Sequence, residues 1–234
     1  MRPRALISLF ALVLAIALGT ARADTLVVGT TGDYKPLTWY DSATNTFSGR
    51  DIDLIKAFAD DEDLTLLFVP TTWPTLTADL LAGKFDVAIG GISRTRQRAQ
   101  DALLSVTIEE TGKVALVRCG EEDRYGSIEA IDQTGTTVVE NRGGTNAQFA
   151  LAKLMNAVLI IVPDNEQPFV YLFDKRADVM FTDSIEAVYQ QQVTNGLLCA
   201  VKPDEPYTRV EKVAMFAKDE ADLLARFNAW FEAR

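Results

Sequence analysis

Two carboxyl groups three residues apart, Asp183 and Glu186, mark the run Asp178-Val179-Met180-Phe181-Thr182-Asp183-Ser184-Ile185-Glu186. The first half has the short apolar pattern of a buried strand, and the second half opens a helix. An acid at such a corner has two uses. In the structural one, Asp183 is the N-cap and Glu186 closes a capping box, reaching back to the Asp183 N–H. In the chemical one, the Glu186 carboxyl faces a cleft and donates a proton. Burial, or a second carboxylate such as Asp33 brought close, raises a glutamate above its ordinary value of about 4.3. A glutamate kept protonated in this way is a general acid.

Other residues have types suited to holding an anion. Gly143-Gly144-Thr145-Asn146 opens a helix, where glycines admit a ligand to the backbone and free N–H groups favour negative charge. Its structural use is an ordinary loop with Thr145 or Asn146 as N-cap. It lacks the length and the Lys-Ser/Thr pair of a P-loop. Arg94, Arg96 and Arg98 cluster after a strand; one of them can clamp a carboxylate, while a solvated helix face paired with Asp101 or Glu109 is the alternative for the others. Trp73 and Tyr34 either pack in the core or wall a cleft against a ring-shaped ligand. Asp33 either caps a turn or binds a ligand donor, and Lys113 is a solvated strand residue or a source of positive charge.

Composition removes several classes of chemistry. There is no histidine, so histidine triads and histidine metal ligands are absent. No Gly-x-Ser-x-Gly turn supports a serine hydrolase. Cys119 and Cys199 cannot by themselves build a four-ligand zinc site. Residues 1–23 read as a secretory signal peptide: the basic start Met1-Arg2-Pro3-Arg4, an apolar run from Ala5 to about Leu18, and the small-x-small end Ala21-Arg22-Ala23. Cleavage after Ala23 places the protein in the periplasm. It removes three arginines and takes the formal net charge from −10 to −13. So acidic a protein repels nucleic acid and anionic membranes at long range, but still accommodates a local basic pocket for a small anion. In an oxidising compartment the two cysteines form a disulfide, the alternative being two free buried thiols.

The elements that position these residues alternate. Strands are expected at 25–30, 64–69, 86–91, 111–118, 136–140, 158–162, 178–182, 198–201 and 210–217, with a hairpin over 38–47. Helices fall between them: one from Asp51, one from Thr72-Trp73-Pro74, one over 94–99, one from Gly144 with Phe149, Leu151 and Leu154 on its apolar side, one near Phe169–Phe173, one from Ser184 to Asn195-Gly196, and one over 219–234. That alternation implies mostly parallel sheets covered on both faces, with ligands beyond the carboxyl ends of the strands. The polar turns at Asp33-Tyr34, Gly90–Arg98, Gly143–Asn146 and Thr182–Glu186 lie there, two from each half. Two lobes are expected, 24–117 plus 209–234 and 118–208, with the two crossing segments as a hinge.

The pattern, with Gly91-Ile92-Ser93 and Arg98, resembles the periplasmic solute-binding proteins of the polar amino-acid type. Within them it resembles more closely the cyclohexadienyl dehydratases, exported enzymes on that two-lobe (type II) α/β binding-protein fold. The matching segments are Thr30-Thr31-Gly32-Asp33-Tyr34-Lys35-Pro36, Trp73-Pro74, Gly91-Ile92-Ser93, Gly112-Lys113, Gly143-Gly144-Thr145-Asn146, Pro163-Asp164-Asn165 and Thr182-Asp183-x-Ile185-Glu186-Ala187, together with both cysteines. The resemblance implies that Glu186 is the general acid and that Asn146 and Asp33 position the substrate. It also implies that Gly91, Ser93 and Arg98 hold a carboxylate and that Trp73 and Gly144 line the same pocket. It implies a small anionic substrate, prephenate or arogenate, with no metal and no organic cofactor. A non-enzymatic amino-acid-binding protein of an importer is the competing expectation. Arg142 departs from the pattern, standing where a proline is expected, and the usual short helix before the first strand and further C-terminal helix are not seen.

Overall fold

The computed structural model describes residues 25–234; the expected signal peptide lies outside the described residues. The first sheet is built from β1 (Thr25–Thr30), then, beyond a small antiparallel sheet of β2 (Asp33–Tyr34), β3 (Thr38–Asp41) and β4 (Thr46–Ser48), helix α1 (Arg50–Asp61), β5 (Thr65–Pro70), α2 (Leu76–Leu81), β6 (Val87–Ser93), α3 (Arg96–Asp101), β7 (Leu103–Leu104) and β8 (Glu109–Thr111). The second is built from β9 (Lys113–Arg118), α4 (Ile128–Ile131), β10 (Thr137–Asn141), α5 (Thr145–Lys153), β11 (Val158–Val162), α6 (Gln167–Phe173), β12 (Val179–Asp183), α7 (Ser184–Val193) and β13 (Leu198–Val201). The chain then returns through β14 (Val210–Phe216) and α8 (Ala221–Glu232).

The first sheet runs β5-β1-β6-β14-β7, with β8 also on β14, and the second runs β11-β10-β12-β9-β13. Each is a parallel core completed by antiparallel strands: β14 pairs antiparallel with β6, and β9 antiparallel with β12. Apolar residues at strand and helix spacing fill two cores. In the first lobe Val28, Ile55, Phe58, Val87, Phe216 and Phe227 come together, with Leu76, Leu80 and Phe85 on the other face of the sheet. In the second, Leu116, Val139, Met180 and Leu172 pack on one face, and Val117, Val138 and Phe181 on the other.

Four details differ from the sequence expectation. The strand expected over 111–118 breaks at Gly112: β8 stays on the first sheet, but Lys113–Arg118 pairs with β12 and β13. The chain therefore leaves the first sheet at Gly112 rather than after residue 117. A side chain at Gly112 would meet the Thr208 carbonyl at 1.8 Å, because the two crossing segments run in contact there. Thr72-Trp73-Pro74 forms a turn, and the helix begins at Leu76. Leu151 is exposed, since α5 buries its Asn146, Ala147 and Ala150 face instead. Arg94 pairs with Glu211 across to β14, at 2.5 Å, and Glu109 is taken by Arg50.

Cys119 and Cys199 are bonded across 80 residues of sequence, tying the end of β9 to β13. A loop of that length contributes about 4 kcal/mol in the chain-entropy account. The Cys119→Ser/Cys199→Ser variant is expected to lose a stability of that order in urea denaturation while keeping native secondary structure. No helix among the described residues is long and apolar enough to cross a membrane.

Candidate functional site

The carboxyl ends of β6 and β12 face each other across the two lobes, and a small cavity lies between them. Tyr34, Trp73, Gly91, Ser93 and Arg98 line it from the first lobe, with Lys212 of β14. Asn141, Gly144, Thr145, Asn146, Asn165 and Asp183 line it from the second. Two glycines make the approach possible. Gly91 has φ +76°, and a side chain there would strike the Tyr34 ring at 2.5 Å. Gly143 has φ +83°, and a side chain there would meet the Pro74 nitrogen at 2.4 Å, so the loop before α5 closes onto the opposite lobe.

The corner at Asp183 is not a capping box. Asp183 ends the β12 ladder opposite Lys113. Although it is the N-cap of α7, its side chain makes no cap hydrogen bond. That side chain crosses the cleft: its Oδ2 accepts from Lys212 Nζ at 2.6 Å and from Tyr34 Oη at 2.6 Å, and its Oδ1 lies 2.9 Å from Lys113 Nζ. Burial pushes the carboxyl up, but the two ammoniums outweigh it and hold Asp183 well below the usual carboxylate range.

Glu186, in the first turn of α7, is fully buried. Its Oε1 accepts from Asn165 Nδ2 at 2.8 Å, and its Oε2 lies 2.5 Å from Thr182 Oγ1. It does not reach back to the Asp183 backbone. Burial raises its pKa to about 8; the Thr182 bond pulls it down, and the Asp183 charge pushes it up again. Glu186 therefore carries its proton at neutral pH.

Arg98 is also buried. One guanidinium N–H is donated to the Ser93 carbonyl at 2.7 Å, and among the described residues it forms no ion pair. Burial lowers it only to about 10, so it remains a cation with no carboxylate of its own. A buried guanidinium facing a cavity is the group expected to take an anionic ligand. The α5 N-terminus adds backbone N–H groups from Gly144, Thr145 and Asn146. The N-cap is Gly144 rather than Thr145 or Asn146, and the Asn146 carboxamide oxygen accepts from Lys113.

Of the residues singled out from the sequence, Tyr34, Trp73, Gly91, Ser93, Arg98, Gly144, Thr145 and Asn146 form the cavity wall. Asp33, Lys113 and Glu186 stand one layer behind it, each bonded to a wall residue. Asp33 accepts from Trp73 Nε1 at 3.0 Å, Lys113 donates to Asn146, and Glu186 holds Asn165. Arg142 is exposed and does not line the cavity. The sequence reading missed Lys212, Asn165, Asn141 and the ion-pair role of Asp183. Lys212 had only a weak signal, as one of two adjacent charges at the start of β14. Asn165 lay in a quoted segment with no role assigned to it.

The chain matches the bacterial extracellular solute-binding proteins, family 3, over residues 26–234. It belongs to that family. Among curated relatives of this solute-binding protein, the cyclohexadienyl dehydratase of Pseudomonas aeruginosa is 40% identical over 196 residues, 84% of this chain and 72% of that one. A probable amino-acid ABC transporter-binding protein of Haemophilus influenzae is 25% identical, over 91% of this chain and 80% of that one. Among solved structures, an ancestral amino acid-binding protein described as a precursor of cyclohexadienyl dehydratase superposes with a TM-score of 0.82. It is 31% identical and covers 89% of this chain and 88% of its own. Holo ArgBP from T. maritima gives 0.79 at 25% identity, covering 89% of each chain. The two-lobe α/β architecture is that of the family.

Proposed function

We propose that this solute-binding protein is a periplasmic cyclohexadienyl dehydratase, converting prephenate to phenylpyruvate and arogenate to phenylalanine. The observation that carries this reading is Glu186, a glutamic acid protonated at neutral pH and placed directly behind the wall of a cationic cleft. A site built only to hold an amino acid has no need of such a group.

Prephenate has a ring hydroxyl, a ring carboxylate and a pyruvyl side chain. Arg98, the α5 N-terminus and the positive field of Lys113 and Lys212 suit its two carboxylates. Trp73 and Tyr34, in edge-to-face contact with centroids 5.8 Å apart, provide a wall for the ring. Glu186 gives its proton to the ring hydroxyl, where Asn165 or Thr182 yields its bond to the ligand. The carbon–oxygen bond breaks and water leaves. The electron pair of the bond to the ring carboxylate moves into the ring, CO2 departs, and the ring becomes aromatic. Solvent returns the proton to Glu186 once the lobes part. The crossings at Gly112 and near Thr208 act as the hinge, and closure keeps bulk water from the leaving group.

The second reading, a binding protein for an amino acid, is favoured by the Haemophilus influenzae and T. maritima relatives. An assay decides between the two. Purified mature protein is expected to convert prephenate to phenylpyruvate well above the spontaneous rate between mildly acidic and neutral pH. No enzymatic turnover, with tight calorimetric binding of one member of an amino-acid panel, would establish the binding protein instead.

A further inference from the structure

We infer that Asn165 is the positioning residue of Glu186, holding the acid's carboxyl in one orientation when the two lobes close on it. This rests on the dehydratase reading and names a residue on which the acid of that reading depends.

Asn165 lies in the turn between β11 and α6 and is buried. Its side-chain nitrogen meets one acceptor from each lobe: the Asp33 carbonyl of β2 at 3.0 Å and Glu186 Oε1 of α7 at 2.8 Å. Its backbone N–H is donated to Asp33 Oδ2 at 3.4 Å. A main-chain carbonyl oxygen only accepts, so the nitrogen of the carboxamide, and not its oxygen, faces Asp33. Both amide N–H groups are thereby used. The one aimed at Glu186 makes Oε1 the accepting oxygen of the acid. The acidic proton then rests on Oε2, against the Thr182 hydroxyl. Thr182 is therefore the partner that yields when the proton leaves.

Without Asn165, either carboxyl oxygen can carry the proton, and only the Thr182 bond is left to orient the side chain. Misorientation of an acid slows the chemical step and leaves ligand binding nearly untouched. A mere contact between lobes would do the reverse: its loss would weaken closure on the ligand and raise KM. The two roles also differ in charge. An N–H donated to a carboxylate stabilises the ionised form, so the Asn165 bond lowers the Glu186 pKa against the upward push of burial. The charged and titratable groups that act on Glu186 stay in place when Asn165 is replaced: Asp33 and Tyr34 of β2, Glu140 of β10 and Asp183 of β12. Lys35 and Glu166 line a pocket on the outer side together with Glu186, and they stay as well.

Asn165→Leu tests this, since leucine keeps the volume and excludes water but offers no N–H. Its kcat for prephenate is expected to fall about 10- to 100-fold, with KM within about threefold of wild type. The alkaline limb of kcat, which reports the ligand-bound protein, is expected to move to higher pH. The same rise is expected in the titration midpoint of the Glu186 carboxyl, followed by carbon-13 NMR on glutamate-labelled protein and assigned with Glu186→Gln. That titration needs no turnover. If the wild type leaves prephenate unchanged, the dehydratase reading fails alone, and the midpoint still decides the role of Asn165. Asn165→Ser, too short to span both acceptors, is expected to show the loss of kcat as well. A midpoint unchanged or lowered in Asn165→Leu overturns the inference, as does a raised KM with kcat retained. Failure of both variants to fold also overturns it, because Asn165 would then serve the fold.

Discussion

Glu186→Gln is expected to lower kcat/KM for prephenate by about 100- to 10,000-fold, the range of a lost general acid, while the protein stays folded. The amide keeps the shape of the carboxyl and can still bond Thr182 and Asn165, but it has no proton to give. For the wild type, turnover is expected to be high below the Glu186 pKa of about 8 and to fall as the pH rises through it, since the protonated form is the active one. The stability effect has the same direction. The folded protein holds this proton up to about pH 8, whereas the unfolded chain releases it near about 4.3. Between those values the folded state binds more protons, so the Glu186 contribution to stability is full at low pH and is lost as the pH rises. The glutamine variant escapes that loss. It is expected to melt at or above the wild-type temperature at pH 9, and relatively lower at pH 5. A variant with near wild-type kcat/KM would return Glu186 to a structural role.

Asp183→Ala is expected to be the most destabilising of the single changes considered, by about 3–5 kcal/mol, the cost of leaving buried charge without its partner. The carboxylate faces Lys113, Lys212 and the Tyr34 hydroxyl in a region where all three are buried. Removing it leaves two ammoniums close together with no counter-charge. Urea denaturation against pH separates this from a capping role. Loss of a cap costs about 1 kcal/mol and does not depend on the protonation of lysines. Loss of the counter-ion removes the charge that holds Lys212 up against its burial, so the unfolded state of the variant binds more protons at neutral pH. Its stability deficit is then expected to shrink as the pH is raised toward the lysine range. A small deficit that is flat with pH would show that the ion pairs contribute little.

These expectations lean on different parts of what could be read beforehand. The strand-to-helix corner at Asp183 was legible because a run of buried residues followed by a change of period is a local property. Its chemistry was not. Asp183-x-x-Glu186 has the spacing of a capping box, and nothing local shows that the Asp183 side chain is drawn across the cleft by Lys212, 29 residues later. The break at Gly112 was hidden in the same way. Residues 111–118 read as one strand because strand propensity carries no information on which sheet a strand joins. Leu151 was misplaced because α5 packs Ala150, with Phe149 and Leu154 beside it, against the sheet, which turns Leu151 outward.

The order of the elements, the two-half α/β plan, the cysteine pair and six residues of the cavity wall followed from the sequence alone, while Gly91 and Ser93 were implied by the family resemblance. They depend on periodicity, on turn chemistry and on motifs short enough to be read along the chain. The tertiary structure alone decided which charges meet. Lys212 bonds Gly91 and Ser93, Asp183 stays ionised between two lysines, Arg98 keeps a free face, and Glu186 remains protonated behind Asn165. The physical reason is that a buried group's charge state is set by its partners and by exclusion of water, and those partners come from distant segments on two lobes.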